Sequence, residues 1–286
     1  MSGKITYYPS HAVPVQMKHR FPLLGIGWLY RLNDRSQVYA GWSTSYRPMV
    51  FKDLIPGSLY EKVDPTIRDS KGYNAEIGFK GSNLHLKWDV SLFMLRQNNR
   101  FGTLAQTEAG VLYTYRTNTG NTLTKGAEIF VQYDWQTDAA RYSLFTSTAF
   151  MQARYIAGMA KNAANQNVSI KGNVIESAPD LITRNGFTVR RKGASLTLLY
   201  SYTSATYADA LNTELPNATG TVGKVPAYAL VDLMSTYRLS KEIELRVNIN
   251  NLMNNQYFTK RPMFYPGPGI WPSDGRTFNL TVSVKL

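Results

Sequence analysis

The 286-residue chain contains no cysteine and only three histidines, His11, His19 and His85. Disulfide scaffolds, thiolate metal sites and cysteine nucleophiles are excluded together, and an imidazole metal centre has little to draw on. No apolar run reaches the ~18 residues that a membrane-spanning helix requires. A spanning barrel stays open, because its signal is spread over short alternating segments. The opening MSGKITYYPSHAVPVQ lacks the apolar segment and small-residue cleavage site of a secretory signal. There is no Ser-His-Asp order, P-loop or HExxH motif, and the glycine-rich stretches follow no strand-to-helix context, so no catalytic residue and no metal ligand is expected.

Hydrophobic residues make up 43% of the chain, enough to exclude disorder. The formal charge of +13 draws nucleic acid, anionic surfaces and anionic ligands alike; scattered cations on solvated loops fit it equally well. The pattern along the chain is more informative. At the C-terminus Phe278, Leu280, Val282, Val284 and Leu286 project to one side of an extended chain, and Thr277, Asn279, Thr281, Ser283 and Lys285 to the other. The same alternation runs through Leu84, Leu86, Trp88, Val90, Leu92 and Met94 and through Ile243, Leu245, Val247 and Ile249. Alternation and turn residues together predict about eleven strands, at 21–32, 36–49, 72–81, 84–101, 124–136, 141–157, 181–191, 194–209, 226–239, 242–258 and 276–286, with almost no helix.

Tight turns at Asn33-Asp34-Arg35, Gly81-Ser82-Asn83, Arg191-Lys192-Gly193 and Ser240-Lys241 alternate with long links near 50–71, 102–123, 158–180, 210–225 and 259–275. If the strands run up and down, all the long links fall at one rim. That is the plan of an outer-membrane barrel, with turns in the periplasm and loops outside; a soluble sandwich has no reason for it. Aromatic residues near strand ends, among them Trp28, Tyr30, Tyr39, Trp42, Tyr133, Trp135, Tyr142, Tyr155 and Tyr237, fit interfacial girdles. If 33–35 is periplasmic, the chain starts outside the cell. With an odd number of strands, the expectation is the C-terminal part of something larger, either a split product or a sequence begun at an internal Met.

Three segments carry a resemblance: TNTGNTLTKGAEIFVQY at 117–133, VNINNLMNNQYF at 247–258 and GRTFNLTVSVKL at 275–286. They resemble TonB-dependent outer-membrane receptors. Within that family SYRPMVF at 45–51, DPTIRDSKGYNAEIGFKG at 64–81 and YPGPGIWPSDGRTF at 265–278 look most like the ferric citrate type. The resemblance implies an all-β fold: an antiparallel transmembrane β-barrel of about 22 strands closed by an N-terminal plug. This chain is then expected to supply its C-terminal half (21–286), with 1–20 a remnant of an extracellular loop and the plug absent. It further implies a ferric chelate as ligand, outer-membrane lipid around the barrel, the TonB complex as partner through the plug region, no nucleic acid, and no cofactor, iron entering only inside the chelated ligand. One departure stands out, since Leu286 occupies a final position usually filled by an aromatic residue.

An anionic, oxygen-rich ferric complex calls for arginine, whose planar fork donates paired hydrogen bonds and stays charged. Arg47, Arg100, Arg116, Arg154 and Arg261 lie at or beyond the outer strand ends and are the candidate ligand-binding set, with Arg47 and Arg261 the leading pair. Tyr265 joins the set as a neutral donor, with weaker support from Gln97, Asn98 and Asn118. Glu76, Asp89, Glu128, Glu244 and Arg246 alternate inward and are expected in the lumen. Two other readings compete: a passive channel or adhesin-like barrel completed by another chain, and a soluble all-β binding protein that buries Leu84, Leu86, Trp88 and Val90 against a second sheet.

Overall fold

The computed structural model describes residues 2–7, 15–50, 53, 55–56, 58–262 and 268–285. Eleven strands follow one another in a single antiparallel path. They are β1 Gly25–Asn33, β2 Ser36–Arg47, β3 Ser70–Ser82, β4 Leu86–Glu108, β5 Val111–Gln136, β6 Arg141–Lys161, β7 Leu181–Arg191, β8 Ala194–Thr203, β9 Tyr228–Arg238, β10 Ile243–Asn250 and β11 Thr277–Val284. Each pairs with the next, and β1 and β11, at the two ends of the path, do not pair with each other among the described residues. Glu61–Val63 runs parallel to β5, and Asn167–Ser169 pairs antiparallel with the end of β6. Ser2–Tyr7 and Val15–Arg20 form a separate two-stranded sheet. No described helix is long and apolar enough to cross a membrane.

The short turns are held by their own side chains. Asn33 Oδ1 accepts the Arg35 N–H at 2.9 Å, Asn83 Oδ1 accepts those of His85 and Leu86 at 2.9 and 2.7 Å, and Ser240 Oγ accepts that of Ile243 at 3.1 Å. Such local bonds satisfy backbone groups that the ladder leaves over at a tight reversal. Lys192 and Gly193, both at positive φ, supply the hairpin turn between β7 and β8.

The two faces of the sheet differ as alternation dictates. Ile26, Leu92, Phe278, Leu280 and Val282 stand out on one face, each more than half exposed. Buried apolar side chains are few: Met49, Ile67, Ala153, Tyr155, Ile170, Ile175 and Val225. All of them lie in the external links or at the outer strand ends. A soluble sandwich would hold its core between sheets; here, among the described residues, the membrane-height part has none, and its apolar face is left to lipid. On β4 Val90 is 37% and Leu92 58% exposed, where a soluble sandwich would bury that face against a second sheet, and the soluble reading fails.

The opposite face is polar and closely fitted. Tyr39 Oη donates to Asp89 at 2.9 Å and reaches Glu76 at 3.3 Å, and together with Glu128 these side chains line one lumenal cleft, as alternation predicted. Tyr39 therefore belongs to the lumen, not to an aromatic girdle. Tyr155 also leaves the girdle for the external core. Tyr133, Trp135, Tyr142 and Phe187 do stack on the lipid face close to the periplasmic turns, with centroid distances of 5.2 Å (Trp135–Tyr142) to 6.3 Å (Tyr142–Phe187). Gly126 on β5 is a second close fit: a Cβ there would lie 2.2 Å from the Phe150 carbonyl oxygen and 2.6 Å from Phe93 Cζ.

One expected link is not a link, and the others are paired in part. The stretch 102–123 continues β4 and β5 as a hairpin above the membrane, turned at Ala109-Gly110 with φ of 48 and 79°. Part of 50–71 pairs as Glu61–Val63, and part of 158–180 as Asn167–Ser169. Conversely, β8 and β10 stop at Thr203 and Asn250, short of the predicted 209 and 258. Tyr265 and Leu286 lie outside the described residues.

Candidate functional site

Arg47 ends β2, and Arg100 follows a bulge in β4 at Asn98-Asn99, where Asn99 takes φ 57°. The bulge decides the chemistry. Counting inward positions from Asp89 and Ser91 would turn residue 100 toward lipid, but the extra residue restores it to the lumenal side. Arg47 and Arg100 thus line one external cleft of about 350 Å³ with Ser70, Gln97, Thr122 and Thr124, and among the described residues no carboxylate lines it. The Arg47 guanidinium sits 4.9 Å from the Phe101 ring centroid and makes no hydrogen bond or ion pair among the described residues. Arg100 donates Nη2 to Glu176 Oε1 at 2.6 Å and packs over Tyr155, whose hydroxyl donates to Glu176 Oε2 at 2.7 Å. Burial, then the Glu176 carboxylate, pushes the Tyr155 phenol well above its ordinary range, so it remains a donor.

The other candidates are placed elsewhere. Arg116 pairs with Glu61 and holds Glu61–Val63 against β5. Arg154 alternates with the buried Ala153 and Tyr155 and so projects away from the cleft. Arg261 donates Nε to the Lys224 carbonyl at 3.2 Å and Nη1 to the Gly220 carbonyl at 3.0 Å. Gln97 donates to Ser70 Oγ at 2.9 Å within the cleft, whereas Asn98 accepts from Arg96 and Asn118 binds backbone. Two of the five arginines converge. Sequence reasoning missed Glu176 and Tyr155, which lie in or beside a long link and meet Arg100 across 76 and 55 positions of chain.

Asp64 fastens the first external link to β5, accepting from Thr117 Oγ1 at 2.5 Å and from the Thr66 N–H and Oγ1 at 2.7 Å each. Partial burial pushes its carboxyl up, but the hydrogen bonds from Thr117 and Thr66 outweigh that and hold it below the ordinary carboxylate value. A depressed carboxyl contributes stability that is fully present above its unfolded value and is lost as pH falls through its folded one. Attachment of 61–66 should therefore be unchanged from neutral pH to about pH 4 and loosen below it. Limited proteolysis across that range reads the change, and loosening that begins near pH 6 would assign the contact to another group.

A family model described as "TonB dependent receptor-like, beta-barrel" matches residues 14–252. The chain belongs to this family. It is thus an outer-membrane β-barrel protein of the Gram-negative type, in a family of receptors rather than enzymes. The TonB-dependent receptor barrel is 23% identical over 240 residues to the Bordetella pertussis protein "Probable TonB-dependent receptor BfrD", covering 82% of this chain and 30% of that protein. Its fold is similar to the unliganded ferric citrate transporter FecA (TM-score 0.75, 19% identity, 95% of this chain and 39% of that one). It is similar also to the siderophore receptor PiuA from Acinetobacter baumannii (TM-score 0.73, 21% identity, 97% and 38%). The TonB-dependent receptor barrel described by this chain spans well under half the length of these proteins, and at such identities the structural likeness concerns the fold.

Proposed function

We propose that this chain is the C-terminal half of a receptor barrel (21–286), with 1–20 part of an external loop, and that it lines the outer vestibule through which an anionic ferric chelate is taken up. Ferric citrate or a related siderophore complex is the cargo. Iron arrives within the chelate, so no resident cofactor is assigned, and energy coupling through TonB acts on the plug region that the family carries before its barrel. The observation that carries this reading is the carboxylate-free cleft in which Arg47 stands without an anionic partner beside Arg100. A guanidinium placed so is suited to donate paired hydrogen bonds to a carboxylate. A passive channel gives no reason to hold unpaired arginine at an external cleft and is not favoured.

Tryptophan-fluorescence titration of the protein isolated in detergent tests the class of cargo. Ferric citrate should bind more tightly than a neutral ferric hydroxamate, and its affinity should fall with ionic strength. Preference for the neutral complex, or affinity indifferent to salt, would overturn the reading.

A further inference from the structure

The external links are fastened each to the next by a side chain that binds backbone. Asn118, on the β4–β5 hairpin, donates Nδ2 to the Arg68 carbonyl at 2.8 Å and accepts the Arg68 N–H at 2.7 Å, so holding the β2–β3 link. Asn167, in the β6–β7 link, does the same to Ala105 of that hairpin, at 2.8 Å for both bonds. Asn212, in the β8–β9 link, does the same to Val174 of the β6–β7 link, at 2.8 and 2.7 Å. Arg261, in the β10–β11 link, then holds the Gly220 and Lys224 carbonyls of the β8–β9 link. The partners are 50, 62, 38 and 41 residues apart in sequence, so none of these is a local turn.

A carboxamide laid against one residue's N–H and C=O satisfies both groups as a neighbouring strand would. Three such clamps in successive links, with a guanidinium closing the series, join every external segment from Arg68 to Arg261. Packing reinforces the middle of the series: Ala210 and Leu211 of the β8–β9 link rest on the cluster of Ala153, Tyr155, Ile170 and Ile175, and the Ser177 N–H reaches the Tyr207 carbonyl at 2.8 Å. External loops ordinarily open one at a time, because few of their backbone groups are satisfied. Here most of the connecting groups belong to two links at once.

We infer that Asn118, Asn167, Asn212 and Arg261 are positioning residues that make the external links one collar, opening and closing as a unit. The inference concerns the collar itself and does not depend on which chelate is bound.

Amide hydrogen exchange on ligand-free protein, isolated from outer membranes in detergent, tests it. Asn212→Ala should speed exchange at Val174 by roughly tenfold, from the loss of two hydrogen bonds. It should also speed exchange at Ala105, which Asn212 does not touch, while Phe187 and Leu198 in the barrel wall keep their protection. Asn212→Asp retains the acceptor for the Val174 N–H and loses the donor, so it should give the same two-site pattern with smaller changes; this variant decides the matter if Asn212→Ala is not recovered folded. Faster exchange at Val174 with Ala105 unchanged, in either variant, would show that each clamp acts alone and would overturn the collar.

Discussion

Replacing Arg47 by alanine should weaken ferric citrate binding about ten- to a hundredfold and leave the barrel assembled. The loss follows from a charge-assisted, paired contact, for which removal of the cation costs about 1.5–3 kcal/mol once a seated ligand excludes water. Arg47 is exposed at the end of β2 and makes no polar contact among the described residues that its removal would break, so stability should hardly change. Arg100→Ala is a poorer probe, because it also strands Glu176, whose other partner is Tyr155. Arg261→Ala should weaken capture by a different route, since it releases the Gly220 and Lys224 carbonyls, and faster exchange in the β8–β9 link would be its mark. Arg31→Ala, beside the periplasmic turn at Asn33, removes the same charge at the opposite rim. Equilibrium titration compares them. Equal small losses for Arg31 and Arg47 would mean that a diffuse positive field, and not a defined site, accounts for the effect.

The second large effect is structural. Gly126→Val should abolish the folded barrel, or destabilise it by about 3 kcal/mol or more. Even the first added carbon meets the Phe150 carbonyl oxygen at 2.2 Å, and a backbone atom in the middle of a ladder cannot retreat without breaking the β5–β6 register. Phe93 closes the other side at 2.6 Å. Gly27, where an added Cβ would meet nothing within 4 Å, is the control, and Gly27→Ala should be tolerated. Recovery of a folded species that resists detergent until boiled reads the outcome. A Gly126→Val protein as resistant as the wild type would mean that β5 and β6 can shift apart at this point.

Much of the sheet was legible because lipid and lumen impose opposite demands on successive residues. Leu86 to Met94 and Phe278 to Val284 announce strands for that reason, and the observed β4 and β11 contain them; Leu84, which continues the alternation along the chain, falls in the turn before β4. The hairpin at 102–123 was misread as a link by the same logic. It stands above the membrane with water on both faces, so TLAQTEAGVLYTYRTNTGNTL has no need to alternate, and its pairing shows only in three dimensions. Girdle aromatics were legible as a class, yet Tyr39 and Tyr155 were not, since a phenol near a strand end serves a carboxylate, lumenal Asp89 or external Glu176, as readily as an interface.

The site divides in the same way. Residue type and rim position, both readable along the chain, fixed which arginines stand outside. Which of them converge was decided by tertiary structure: the bulge at Asn98-Asn99, with a register shift on either side of Arg100, turns that side chain into the cleft beside Arg47. Arg116 and Arg261 are engaged by Glu61 and by loop carbonyls far away in sequence, partners that no local pattern announces. Periodicity is a property of neighbours along one strand, so the sequence determined strands, faces and the rim that carries the loops. Bulge parity and long-range pairing depend on where other segments come to rest, and only the folded chain decides them.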